Sequence, residues 1–153
     1  MSSTNEPPEL AWLRQWLASA DTDLRAAEHL LASGEDDQLP VACFHAQQSA
    51  EKHLKAILIH LSREIPRIHD LRHLAQLVAE AFASQLVDAA EILPLNRYAV
   101  ETRYPGFWEP IDEAEAREAL ALARKVSVAV RKALSAVEPV DQLSITHPST
   151  EES

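Results

Sequence analysis

Apolar residues recur every three or four positions over most of this chain, and that spacing restricts the fold to packed helices. The first such stripe runs through Leu10, Leu13, Leu17, Ala20, Leu24, Ala27 and Leu31. The same spacing returns over residues 46–61, 71–82 and 116–137. Side chains three and four residues apart share one face of an α-helix, so each region predicts an amphipathic helix. No run alternates convincingly as a strand would. We therefore predict an all-α fold, an antiparallel up-and-down bundle of four to five helices.

Glycine and proline residues mark where these helices should begin and end. Gly34 suits the C-terminal end of the first helix, and Pro40 fits the first turn of the second. The second helix should end before Pro66, because the residue before a proline avoids the helical conformation. Pro94 should break or kink a fourth region, leaving a short helix and then a second piece carrying residues 96–102.

These boundaries predict a disordered lead over residues 1–9, one helical domain over residues 10–138 and a disordered polar tail over residues 139–153. A length of 153 residues suits a single domain.

Two glycines are too few for the glycine-rich loops that bind phosphates in common nucleotide folds. A single cysteine allows neither an internal disulfide nor a multi-cysteine zinc site. Because there is no long apolar run and no signal-peptide pattern, we expect a cytoplasmic protein that does not contact a membrane.

The charge is acidic overall but unevenly distributed. The chain has 14 basic and 24 acidic side chains, a net charge of −10. Residues 1–38 carry two basic against eight acidic side chains, whereas residues 39–75 carry five against three and include five of the seven histidines. The acidic total disfavours broad binding to polyanions, so no DNA partner is expected. By net charge, the segment 39–75 is where a small site for a phosphate or an RNA end could lie.

A polar stripe follows the predicted second helix at spacings of three, four and three: His45, Gln48, Lys52 and Lys55. One interpretation is a solvated or dimer-facing surface, which a bundle helix ordinarily has. The other is the wall of a groove, in which lysine binds a phosphate and glutamine or histidine binds a base or a sugar.

A second group, Arg67, His69 and Asp70, lies just before the third helix. Backbone N–H groups at a helix start favour anions, but His69 and Asp70 are also candidate caps. His69 and His73 have the i, i+4 spacing of two metal ligands, yet no third ligand is near in sequence. We therefore predict no metal site and no cofactor.

A third group of candidate residues lies at the end of the fourth region, the one that contains Pro94. Arg97, Arg103 and Tyr104 could form the rim of a pocket; alternatively Tyr98 packs in the core while the arginines pair with acids such as Glu101. Spacing alone leaves both interpretations open. The carboxylates Asp21, Asp23 and Glu28 of the first helix are interpreted as a solvated face, because nothing basic or histidine-rich accompanies them in sequence.

Four segments together resemble one protein family. The run from Ala42 to Ala56, ACFHAQQSAEKHLKA, resembles the second-helix signature of HEPN domains (higher eukaryote and prokaryote nucleotide-binding domains). The stretch from Trp12 to Leu31 resembles the opening helix of the family, and PRIHDL at residues 66–71 resembles its P-x-x-H-D-L entry to the third helix. Tyr98 with Arg-Tyr-Pro at 103–105 resembles the close of one prokaryotic branch. The resemblance covers about residues 10–137.

The resemblance implies a helical bundle that commonly forms homodimers and frequently pairs with a small nucleotidyltransferase protein. It also implies nucleotide binding or, in branches with an Arg-x(4–6)-His motif, metal-independent RNA cleavage. This chain departs from that motif: with Arg97 as the motif arginine, the histidine positions hold Thr102, Arg103 or Tyr104. General acid–base catalysis needs a group that titrates near neutrality, so the expected RNA-cleaving centre is absent from this segment.

Three hypotheses follow. The first is a non-catalytic protein that binds a nucleotide or partners a nucleotidyltransferase. Its candidate nucleotide-binding residues are Arg97, Arg103, Tyr104, His45, Gln48 and Lys52, with Arg67, His69 and Asp70 as secondary candidates. The second is an RNA-cleaving toxin of a toxin–antitoxin pair that uses a displaced histidine, His69 or His45. The third is a purely structural dimerisation module.

Overall fold

A computed structural model describes residues 6–82, 84–99 and 109–136. The α-helices in these ranges are α1 (Pro8–Ala32), α2 (Leu39–His60), α3 (Leu71–Phe82), α4 (Ala89–Ile92) and α5 (Glu113–Ala136). Short 3₁₀ helices precede α2, at Asp36–Gln38, and follow α4, at Leu93–Ala99. These ranges contain no strand, and the prediction of an all-α bundle is confirmed. None of the described helices is long and apolar enough to cross a bilayer.

The central element of the bundle is α2. It packs against α1, α3, α5 and the 3₁₀ helix that follows α4. Of its 22 residues, 15 are buried, and small residues such as Ala42, Ala46 and Ala50 allow the neighbouring helices to approach closely. Leu54, Ile57 and Leu58 are among the largest side chains enclosed in the core. Because neighbours cover most of this helix, only a narrow side of it remains accessible.

The first helix begins earlier than predicted, at Pro8 rather than Leu10. The proline does not prevent this, because a residue in the first helical turn needs no N–H donor. The predicted tail, residues 139–153, and the first five residues of the predicted lead lie outside the described residues.

The region around Pro94 consists of the predicted short helix followed by a 3₁₀ helix. One α-helical turn, α4, begins at Asp88, whose side chain accepts a hydrogen bond from the N–H of Ala90 at 2.9 Å. The chain then tightens into the 3₁₀ helix Leu93–Ala99, which contains Pro94. This 3₁₀ helix contacts α2, α3, α4 and α5 and so positions Asn96, Arg97 and Tyr98. The predicted continuation to Thr102 lies outside the described residues.

Helices α1 and α2 are each followed by a residue in the left-handed conformation. After α1 this residue is Gly34, with φ +69°, and after α2 it is Ser62, with φ +55°. The N–H of Arg63 donates to the carbonyl of Leu58 at 2.8 Å, the bond that typically closes such a helix end. Glycine adopts this conformation without steric cost, whereas serine does not.

Exchanging residue types at these two positions should change stability in opposite directions. We expect Ser62→Gly to raise the free energy of unfolding by up to about 1 kcal/mol, because it relieves the left-handed strain. Gly34→Ala should lower it by about 1 kcal/mol; apart from its two chain neighbours, no described residue has an atom within 4 Å of the added Cβ, so the cost comes from the backbone conformation. Urea unfolding measures both changes. Ser33→Gly, at a right-handed position, is the control and should bring no gain; a destabilised Ser62→Gly protein would contradict the interpretation.

Candidate functional site

The accessible side of α2 carries most of the predicted polar stripe. His45, Gln48 and Lys52 are each partly exposed and lie in one row along the helix. Lys55, the fourth predicted member, is instead buried, with its side chain 7% exposed. The row that faces solvent is therefore His45, Gln48 and Lys52, which we call the α2 strip.

Asp23 of α1 binds two of the three residues of the α2 strip. Its Oδ1 lies 2.8 Å from His45 Nδ1, and its Oδ2 accepts a hydrogen bond from Lys52 Nζ at 2.6 Å. Lys52 also donates to Ser19 Oγ at 2.8 Å. Because an ionised carboxylate only accepts hydrogen bonds, Nδ1 of His45 is the donor in this bond, and Nε2 makes no hydrogen bond to a described residue.

The interpretation of Asp21, Asp23 and Glu28 as a solvated face is wrong for Asp23. This residue is buried, and its basic partners come from α2 rather than from nearby in sequence. Asp21 and Glu28 remain partly exposed and pair with arginines of α5, Arg131 at 2.5 Å and Arg124 at 3.2 Å.

A second network lies on the other side of the α2 strip and centres on Glu51. The Glu51 side chain is 5% exposed. Its Oε2 accepts a hydrogen bond from Lys55 Nζ at 3.4 Å, and its Oε1 lies 2.8 Å from His69 Nδ1. Gln47 donates to the same Oε1 at 3.3 Å, and Gln48 donates to Gln47 Oε1 at 2.7 Å. Gln48 thus joins the strip to this network, and His69, with its side chain 65% exposed, lies at its solvent side.

Asp70 is a cap of α3, as one of the two interpretations predicted. Its Oδ1 accepts hydrogen bonds from the N–H of Arg72 at 3.0 Å and from Asn96 Nδ2 at 2.9 Å. Burial alone would raise the pKa of Asp70. The net effect is a lowered pKa, because the carboxylate accepts hydrogen bonds from Asn96 and from the N–H groups of His73 and Arg72, and because the charge of Arg72 is nearby. Arg67 is exposed on the segment before α3.

Arg97 and Tyr98 share one acceptor on α5. Arg97 Nη1 donates to Glu115 Oε1 at 2.6 Å, and the Tyr98 hydroxyl donates to the same oxygen at 2.7 Å. Tyr98 is 3% exposed and packs in the core, as one of the two interpretations left open by the sequence had it. Burial, reinforced by the hydrogen bond to Glu115, raises the pKa of Tyr98, which keeps the hydroxyl protonated as a donor. Burial likewise raises the pKa of the nearby Cys43 thiol to about 12, so this cysteine is not a nucleophile near neutral pH.

Arg97 and Glu115 also border a cavity of about 250 Å³ between the 3₁₀ helix and α5. Its other described lining residues are Pro94, Leu95, Tyr98, Glu118, Ala119 and Leu122, none of them a histidine. Arg97 therefore belongs to a network with α5, whereas His45 and Lys52 belong to a network with α1. Arg103 and Tyr104, the other predicted members of the Arg97 group, and Glu101, its suggested acid, lie outside the described residues.

Sequence analysis missed His53, a fully buried histidine of α2. Its Nδ1 donates to the carbonyl of Ser49 at 2.8 Å, while its Nε2 has no hydrogen-bond partner in the described part of the chain. That nitrogen lies 3.7 Å from Asp21 Oδ1. Burial lowers the pKa of His53, although the Ser49 bond and Asp21 act in the opposite direction. Its position, three residues after Ala50 and four before Ile57, is the signal in the sequence that could have placed it on the apolar face of the second helix.

Within residues 6–82, 84–99 and 109–136, no group of three or more His, Cys, Asp or Glu side chains is placed to bind a metal ion. The two networks of the α2 strip instead consist of carboxylates bound to lysine and histidine. Such groups can bind an anion or exchange a proton.

The family model of the HEPN domain matches residues 13–133, which is most of the chain. The chain belongs to the HEPN family. Two solved structures are similar to this chain over most of its length. TT1696 from Thermus thermophilus is 31% identical over 78% of this chain and 96% of that one, with a TM-score of 0.56. ST0689, an archaeal HEPN homologue, is 25% identical over 80% of this chain and 97% of that one, with a TM-score of 0.57. No curated protein matches the chain.

Proposed function

We propose that this HEPN protein is a non-catalytic binding protein that takes a nucleotide or an RNA end at the α2 strip. The observation that carries the proposal is the composition of the accessible side of α2. Of the 22 residues of this central helix, 15 are buried, and His45, Gln48 and Lys52 are among the seven that are not. Lys52 supplies a cation for a phosphate, and Gln48 and His45 supply hydrogen-bonding groups for a base or a sugar.

The non-catalytic part of the proposal is supported by the environment of Arg97. Its guanidinium already has an anionic partner in Glu115, at 2.6 Å, and the motif positions after it hold threonine, arginine and tyrosine rather than histidine. An arginine that is paired with a carboxylate of its own fold stabilises the packing of the 3₁₀ helix on α5.

Membership of the HEPN family supports the proposed partners. The resemblance implied a homodimer and a small nucleotidyltransferase protein, and both fit a protein whose own contribution is to bind. Trp12 and Val128, exposed to 49% and 68% respectively, are apolar side chains at the surface of α1 and α5 that such association would cover.

Calorimetric titration tests the nucleotide part with ATP, GTP and a short 5′-phosphorylated RNA, each with and without magnesium. We expect measurable binding, and Lys52→Ala should weaken it about tenfold or more, because a charge-assisted hydrogen bond to phosphate is lost. Lys132→Ala, an exposed lysine of α5, is the matched control and should bind like the wild type.

The outcomes of this titration separate the hypotheses. No heat at millimolar ligand would overturn the nucleotide-binding part. RNA recovered cleaved from a titration in chelator would overturn the non-catalytic part and favour the RNA-cleaving alternative, provided that His69→Ala or His45→Ala abolishes the cleavage.

A further inference from the structure

The lysines in and beside the α2 strip are each neutralised by a carboxylate of the same fold. Asp23 and Lys52 form one pair of opposite charges at 2.6 Å, and Glu51 and Lys55 form another at 3.4 Å. With neutral imidazoles on His45 and His69, the strip and its two networks carry no net charge. An incoming phosphate therefore meets a lysine whose charge is cancelled by a carboxylate, inside a protein with a net charge of −10.

From this balance we infer that binding of an anion at the α2 strip is coupled to the uptake of one proton by His45. The inference rests on the proposed function and adds its regulation by pH. His45 is the group best placed to supply the missing positive charge, since its ring is bound to the same carboxylate that neutralises Lys52. Histidine is the side chain that ordinarily changes charge between pH 5 and 8.

The hydrogen bonds of His45 allow this protonation without rearrangement. Nδ1 donates to Asp23 in the neutral ring and continues to donate to it in the protonated ring. The proton taken from solvent goes to Nε2, which accepts no hydrogen bond from a described residue, and creates a second donor. The protonated ring can thus bind Asp23 through one nitrogen and a phosphate oxygen through the other.

The surroundings of His45 favour the charged ring when an anion is present. From α1 it faces Asp23, with Ser19 nearby through Lys52. From α2 it has Lys52, which opposes protonation, and the edge of the Phe44 ring at a centroid distance of 5.5 Å. Binding an anion against Lys52 removes that opposition and adds a second negative charge beside Asp23. Ligand binding and proton binding therefore strengthen each other by the same factor.

Calorimetry with ATP at several pH values between 6 and 8, in buffers of different ionisation enthalpy, measures the protons taken up. His45→Asn is the reference, because protons exchanged by ATP itself occur in both proteins and cancel in the difference. We expect the wild type to take up as much as one proton more per ATP than His45→Asn. Its affinity should fall more steeply with rising pH, with an additional dependence that approaches about tenfold per pH unit. His29→Asn, which replaces an exposed histidine in the last turn of α1, should match the wild type.

Each result decides something different. Heat on ATP addition with equal proton uptake in wild type and His45→Asn would overturn the coupling and leave the proposed function standing. No heat from the wild type at any pH would overturn both. If His45→Asn does not fold or bind, an NMR titration of the wild-type His45 ring decides: a midpoint that saturating ATP moves to higher pH supports the coupling, and an unmoved midpoint overturns it.

Discussion

Glu51→Ala is expected to lower the free energy of unfolding by about 3–5 kcal/mol, the cost of removing one partner from a buried ion pair. The variant leaves Lys55, with its side chain 7% exposed, without the carboxylate that lies 3.4 Å from its Nζ. Gln47 and His69 lose the same acceptor. Chemical denaturation at neutral pH measures the loss.

Two further variants identify the cause. Replacing both Glu51 and Lys55 by methionine should recover most of the lost stability, because an apolar pair of similar volume needs no counter-ion. Glu113→Ala removes a carboxylate from an i, i+4 pair with Arg117 in which both side chains are more than 60% exposed, and it should change stability by no more than about 0.5 kcal/mol. A Glu51→Ala loss as small as that of Glu113→Ala would contradict the buried-pair interpretation.

The second large effect is a loss of stability in mild acid that depends on His53. Burial lowers the pKa of this histidine in the folded protein below its ordinary value of 6.5. The unfolded chain then binds a proton at higher pH than the folded chain does, so unfolding takes up a proton between the two pKa values. Stability is therefore full above about pH 6.5, falls as the pH drops through that value, and levels off below the folded pKa. The slope for one proton cannot exceed about 1.4 kcal/mol per pH unit.

Unfolding free energies measured between pH 5 and 8 test this dependence in wild type and in His53→Leu. The unfolding free energy of the wild type minus that of His53→Leu should increase with pH, because the leucine variant has no imidazole at this position to take up a proton on unfolding. His73→Gln, an exposed histidine of α3, should retain the wild-type profile. Asp70 does not interfere, since its lowered pKa means that its contribution is lost only below its ordinary value of 3.8. Parallel profiles for wild type and His53→Leu would refute the role of His53.

The helices could be predicted from the sequence because their information is local. A spacing of three and four residues defines one face of a helix wherever that helix lies, and it also placed His45, Gln48 and Lys52 in one row. The same spacing failed for Lys55. Lys55 belongs to the buried Glu51 network, which His69 joins from the segment before α3, and spacing does not reveal which polar side chains such a network encloses.

The partners of the site residues could not be predicted, because they lie far away in sequence. Asp23 precedes its two partners by 22 and 29 residues, and Arg97 precedes Glu115 by 18. A helix pattern carries no information about which neighbouring helix supplies the opposite charge. The polar residues enclosed in α2 were missed for a related reason: hydropathy assigns polar side chains to the surface, and only their hydrogen-bond partners reveal that they can be buried.

The pairing of Asp23 with both His45 and Lys52 sets the axial register of α2 against α1. The small residues Ala42, Ala46 and Ala50 repeat every four positions, so a slide of one turn, about 5.4 Å, would bring one alanine of this row close to the place of another. The same slide would remove Asp23 from both of its partners and leave a buried carboxylate unpaired. The apolar side chains of this bundle thus drive its helices together, while Asp23 ties α2 to α1 in the alignment that pairs its buried carboxylate.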